Sequence, residues 1–147
     1  MDVTNFVYTV GMTDSEVTDA LEGETSGVLS FAVDDDSYAI PISYHYADGS
    51  VFFRFGNDRD EAGKVAAAET TGDACFVLYE EEGGDSWSVI LTGPLRRVDD
   101  PAACGFDETA MHERFGPLRV FDEAVEEIRV ELYELDPRRT VGRRTAN

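Results

Sequence analysis

An Asp-Gly pair set between two runs of alternating aromatic and branched residues constrains this chain more than any other feature. Residues 37–56 read SYAIPISYHYADGSVFFRFG. Asp-Gly supplies the two left-handed backbone positions that a two-residue hairpin loop demands. Strands over 38–46 and 51–57 are therefore expected, joined through Ala47-Asp48-Gly49-Ser50. Counting outward from the loop sets Tyr46 opposite Val51, Tyr44 opposite Phe53 and Ile42 opposite Phe55. That surface is aromatic or aliphatic throughout and is read as core. Pro41, Ser43 and His45 fall on the other surface, opposite Gly56, Arg54 and Phe52. Two readings stay open for it: an ordinary solvent-facing side, or a face for a flat polar ligand. Gly56 permits close approach there, and Ser43 and Arg54 supply donors. An arginine flanked by Phe52, Phe53 and Phe55 implies an anionic or carbonyl-bearing neighbour.

Further signals fix the remaining elements. Thr13-Asp14-Ser15-Glu16 has capping-box spacing and predicts a helix through about Leu21, with Val17, Ala20 and Leu21 on one side. GVLSFAV (27–33) reads as a strand turned by Asp34-Asp35-Asp36. Residues 61–71 predict a helix that Gly72 stops. ACFVLYEEE (74–82) and SWSVILTGPLRRV (86–98) form a second hairpin across Gly83-Gly84-Asp85, and Gly93-Pro94 inside the latter demands a bulge or bend. A helix over 107–115 ends at Gly116-Pro117, and EEIRVELYEL (126–135) closes the series as a strand. Five or six mostly antiparallel strands with segregated short helices mean an α+β or mainly β chain, and glycine bends in long strands point to a barrel. The expected unit is one domain over 1–147, with a core at about 13–135 and a solvated tail at 136–147 that carries Arg138, Arg139, Arg143 and Arg144.

Charge narrows the partners. Thirty-one acidic residues against 12 basic ones give a net charge of −19, spread along the chain. Such a field repels nucleic acid and anionic membrane, so neither is an expected partner. Distributed acidity of this kind fits adaptation to high salt, which implies a halophilic source. No apolar run of 18 residues and no signal-peptide pattern is present, so a cytoplasmic protein is expected. Cys75 and Cys104 have neither metal-ligand nor redox spacing, and His45 and His112 stand apart from any ligand cluster, so no metal site is expected. Gly-x-Ser-x-Gly and Gly-x-Gly-x-x-Gly motifs are missing, which disfavours serine hydrolysis and a Rossmann site. Lys64 is the only lysine of the chain. Placed near a helix start it suits a phosphate; otherwise it is a residual surface residue.

VLSFAVDDDSYAIPISYHYADGSVFFRFGNDRDEAGKV, followed by WSVILTGPLRRV, resembles the FMN-binding split-barrel proteins related to pyridoxamine 5′-phosphate oxidase. The likeness runs over about residues 13–98 and lies in the order and spacing of the pieces. It implies a six-stranded antiparallel split β-barrel that forms a homodimer, with FMN in grooves between the subunits and redox chemistry on a small molecule. The acidic surface makes the chain a haloarchaeal-type member. Carried over by position, Ile40, Pro41 and Ser43 line the isoalloxazine, and Arg54, Phe55 and Gly56 continue the site. Lys64, with Arg59, reaches the phosphate, and residues near Trp87 and Ser88 arrive from the partner. No residue receives a catalytic role. Gly63 precedes Lys64 where the family often has Arg or Ser, and the oxidase's C-terminal Trp and Arg motif is missing from VELYELDPRRTVGRRTAN. Alternatives are a deazaflavin-dependent reductase of the same fold and a flavin- or haem-binding protein without turnover.

Overall fold

A computed structural model describes residues 6–56, 72–116 and 130–146. Its elements, in chain order, are β1 (Thr9–Gly11), α1 (Asp14–Gly23), β2 (Ser26–Val33), β3 (Asp36–Ala47), β4 (Ser50–Gly56), β5 (Asp73–Glu82), β6 (Asp85–Arg97), a short 3-10 turn (Pro101–Cys104), α2 (Glu108–Glu113), β7 (Val130–Leu135) and β8 (Arg139–Thr145). The helix expected over 61–71, with Arg59 and Lys64, lies outside the described residues, as does the 126–129 part of the last predicted strand.

The Asp-Gly hairpin forms in the expected register. Tyr44 pairs with Phe53, His45 with Phe52, Tyr46 with Val51 and Ala47 with Ser50. Asp48 and Gly49 both take positive φ, 53° and 80°, as the tight turn requires. Beyond Tyr44 and Phe53 the count fails. From Ser43 back to Asp36, β3 pairs with β2 instead, so Ile42 faces Gly27. Phe55 and Gly56 pair with Glu131 and Val130 of β7. The two strands therefore part company at Ser43 and Arg54, where β3 takes up β2 while β4 stays on β7, which it pairs with from Val51 onward.

β6 does the same on the opposite side of the molecule. Residues Trp87–Thr92 pair with β8, whereas Leu95–Arg97 pair with β7. The change falls at Gly93-Pro94, the bend that the sequence demands. A Cβ on Gly93 would overlap the Asp136 carbonyl and lie 3.1 Å from the Arg138 nitrogen. The β7–β8 connection is held against this point by Asp136 N–H to the Pro94 carbonyl (3.2 Å) and Arg138 N–H to the Thr92 carbonyl (2.8 Å). The result is an antiparallel ring of six strands, β6-β5-β2-β3-β4-β7 and back to β6, with β8 and then β1 added outside β6. This is the split β-barrel expected above.

One expectation is corrected. The stretch read as a solvated tail holds a strand: Arg139–Thr145 pairs with β6 on one side and with β1 on the other. Arg144 Nε meets Glu16 Oε2 at 2.7 Å, tying α1 to β8. Glu16 also closes the predicted capping box, accepting from Thr13 N–H at 3.0 Å while its own N–H donates to Thr13 Oγ1 at 3.1 Å. These bonds lower the Glu16 pKa, the backbone bond from Thr13 first.

Two apolar cores result. The main one fills the ring with Leu29, Tyr44, Val51, Phe53, Phe55, Phe76, Leu78, Val89, Leu91, Tyr133 and Leu135. These include Tyr44, Val51, Phe53 and Phe55 from the hairpin surface read as core. The smaller one joins Phe52 and Leu132 to Phe106, Ala110 and Phe115, so residues 106–115 pack on the other side of the hairpin.

Candidate functional site

The parting of β3 and β4 leaves an opening in the ring. One lip is Ile40–Ser43, which pairs with β2 on its far edge. The other is Arg54–Gly56, which pairs with β7 on its far edge. The ladder between β3 and β4 stops at Tyr44 and Phe53, so the two facing edges carry backbone donors and acceptors that do not satisfy one another across it. Ile40, Pro41, Ser43, Arg54, Phe55 and Gly56, the residues that the resemblance assigns to a cofactor, stand on these two lips. Their side chains do not all point the same way. Phe55 is 3% exposed and sits in the main core against Tyr133, so only its backbone reaches the opening. Ile40 packs against the same core. Pro41 is exposed, and Ser43 and Gly56 are half-buried.

Arg54 is the most constrained polar group of the opening. Its Nη1 donates to the Met111 carbonyl at 2.8 Å and its Nη2 to the Gly116 carbonyl at 2.6 Å. The guanidinium lies over the Phe115 ring, 5.5 Å from its centroid. The carbonyl-bearing neighbours that the sequence demanded are the protein's own. Nε is buried and has no hydrogen-bond partner among the described residues, and a buried donor left unpaired is costly. Burial also lowers the Arg54 pKa, yet a guanidinium stays charged in any accessible range.

The surface that held His45 and Phe52 open to a ligand in one sequence reading is covered here. Phe52 is 6% exposed and packs on Phe106. His45 stands edge-on to Phe106 and Phe115, with centroids at 5.7 and 6.4 Å. Burial lowers its pKa, and the Arg114 charge adds to that. The covering segment begins with the 3-10 turn and α2, which Asp107 caps by accepting from Ala110 N–H at 2.8 Å. Its last described residue is Gly116, where a Cβ would come within 2.8 Å of Ser43 Oγ. Sequence reasoning took Gly116 only for a helix stop. Its role against Ser43 had one visible signal, a glycine beside a buried aromatic, and that signal does not name a partner 73 residues away.

Trp87 and Ser88 lie elsewhere in the chain, at the start of β6 and separated from β3 by β5 and β2. Trp87 is half-buried and lines an open cleft of about 630 Å³ with Met12, Glu16, Ser86, Arg144 and Thr145. Ser88 points the other way, between Tyr79 and Arg143. Within one chain, then, the opening and the Trp87 cleft are separate places. Among the described residues no group of three or more histidines, cysteines or carboxylates is set to hold a metal. No helix among them is long and apolar enough to cross a membrane.

Solved structures with the same architecture include a FAD-binding protein from Mesorhizobium loti, at a TM-score of 0.72 and 16% identity over 94% of this chain and 99% of that one. A FAD-binding protein from Mycobacterium smegmatis gives 0.69 and 22% over 94% and 99%. A flavocytochrome from Azotobacter vinelandii gives 0.64 and 13% over 95% of this chain and 69% of that one. At these identities the likeness establishes the fold. No curated protein matches the chain significantly. The model of the pyridoxamine 5′-phosphate oxidase family matches residues 13–144, spanning α1, the ring and β8. That match covers most of the sequence, and the chain belongs to the pyridoxamine 5′-phosphate oxidase family.

Proposed function

We propose that this chain is a flavin-dependent oxidoreductase that binds FMN in the opening between β3 and β4 and acts on a small molecule as a homodimer. The observation that carries the reading is the opening itself: two facing strand edges without a ladder between them, beside a buried Arg54 Nε with no acceptor. A planar heterocycle with carbonyl oxygens and ring N–H groups along one edge meets both needs at once. It pairs with the facing backbone edges of Ile40–Ser43 and Arg54–Gly56, and it offers Nε an acceptor that the described residues do not supply. Gly56 keeps the second lip free of a side chain. Arg59 and Lys64 follow β4 in sequence and are assigned the phosphate, to which a lysine presents a compact point charge. When bound, the flavin supplies the electron-transfer chemistry; this chain binds it, orients it and sets its electrostatics.

The homodimer is supported by the outside of the ring. Pro41, Val28, Val77, Ile90 and Val141 stand in register across five adjacent strands. They alternate with the buried Leu29, Phe76, Val89 and Leu91 and so face outward. The next row, Ala39, Ser30, Cys75, Thr92 and Arg139, runs beside it. Neither row contains a carboxylate, in a chain with 31 acidic residues among 147. Two copies meeting on this face bury apolar surface without bringing acid to acid, and Ser88, on the same side of β6 as Ile90, is the one of the two β6 candidates that this face presents to a second copy.

The test is the visible absorption spectrum in molar salt before and after FMN is added. A bound, vibronically structured flavin spectrum is expected, with one FMN per chain. Lys64→Ala should weaken that binding at least tenfold, about 1.4 kcal/mol. Equal titration curves would reject the phosphate assignment, and a protein that binds a deazaflavin but not FMN would reject the cofactor.

A further inference from the structure

We infer that residues 106–116 form a seated wall of the cofactor opening and that Arg54 is the positioning residue that couples the seating of this wall to cofactor occupancy. The inference rests on the flavin reading above. It starts from the division of labour within one guanidinium. Nη1 and Nη2 are spent on the carbonyls of Met111 and Gly116, at 2.8 and 2.6 Å, while Nε is buried and without a partner among the described residues. A guanidinium is a rigid planar fork, so its N–H directions are fixed relative to one another. An acceptor that engages Nε fixes the plane, and the plane fixes where the two carbonyls sit.

What those carbonyls carry makes the coupling consequential. Met111 is in the last turn of α2, whose terminal carbonyls need donors. Gly116 lies against Ser43 on the first lip, so closely that a Cβ there would stand 2.8 Å from Ser43 Oγ. Arg54 belongs to the second lip. Through Arg54 the wall is thus fastened to one lip and laid against the other. Phe106 and Phe115, stacked at 5.8 Å, fill the space behind it with Phe52 and His45. By linkage, whatever occupies the opening and accepts from Nε tightens the wall, and a seated wall raises affinity for that occupant.

The experiment is amide hydrogen exchange on the full chain in molar salt, with and without saturating FMN, for the wild type, Arg54→Lys and Gly116→Ala. Absorbance recorded on the same samples reports flavin occupancy. In the wild type FMN should slow exchange over 110–116 about tenfold, a coupling of ordinary allosteric size. Arg54→Lys keeps the charge but loses the fork and its Nε donor; it should bind FMN more weakly and, once absorbance shows the flavin site filled, show that slowing reduced to less than about threefold. Exchange in β5 and β6 reports whether the fold is intact. Gly116→Ala leaves the fork in place but pushes the wall off Ser43, so it should lose the slowing as well, and it decides the matter if Arg54→Lys fails to fold. Occupied flavin with unchanged exchange over 110–116 in the wild type, or wild-type coupling in both variants, overturns the inference while leaving the flavin reading intact. Absence of any flavin spectral change overturns the flavin reading, and the coupling with it.

Discussion

Arg54 shows what a single residue can and cannot disclose. An arginine among three phenylalanines signalled a carbonyl or anionic neighbour, and the structure supplies two carbonyls. Their identity was illegible, because they lie 57 and 62 residues away and reach Arg54 only after β4 and the 106–116 segment have packed. His45 is a similar case. Its place opposite Phe52 followed from counting, whereas the rings of Phe106 and Phe115 that desolvate it did not. Because burial, with Arg114 second, lowers its pKa below the usual 6.5, folding favours the neutral ring. That preference is in full force above the unfolded pKa and is lost as pH falls through the folded one. Between about pH 7.5 and about pH 5.5 the wild type should therefore lose more stability than His45→Phe, which keeps the ring packing but has no proton to gain. Urea midpoints of the two proteins at both pH values check this, and identical pH slopes would show that His45 does not contribute.

At the scale of elements, the legible parts were those with local punctuation. Asp48-Gly49 and Gly83-Gly84, all at positive φ, announced their hairpins, and Thr13 with Glu16 announced α1. β8 was missed because RTVGRRT offers no apolar alternation, and the Asp136-Pro137 turn before it does not by itself announce a strand. It is recruited by the free edge of β6, and its Gly142 lets Met12 and Val17 approach. Gly93-Pro94 was read as a bend, but nothing in the local residues shows that the strand exchanges β8 for β7 there. The exchange depends on backbone passing over a residue that lacks a Cβ. Gly93→Ala should accordingly cost about 2 kcal/mol or more, since backbone atoms cannot yield as a flexible side chain does. Gly11→Ala, with nothing within 4 Å of the added methyl, is the control and should change the urea midpoint little. Equal midpoints for the two variants would remove the steric argument.

For the whole molecule, net charge and the closure of the ring set the behaviour. A charge of −19 on 147 residues repels itself at long range in dilute buffer, where the screening length is about 10 Å at 0.1 M salt, and much less near 1 M, where it is about 3 Å. The melting temperature should rise between these conditions, and a flat or falling response would contradict the halophilic reading. The ring itself has a mechanical consequence. Its hydrogen-bonded ladders make two leaves, one of β1, β8, β6, β5, β2 and β3, the other of the far halves of β3 and β6 with β4 and β7. Among the described residues only β3 and β6 run through both leaves, and each changes partner at one place, Ser43–Tyr44 in the first and Gly93-Pro94 in the second. Any change in the angle between the leaves must be absorbed at those two places, as at the pins of a hinge. The gap between Ser43 and Arg54 lies at the first of these places, so a rotation of one leaf against the other would change its width with Gly93 and Pro94 as the second pin.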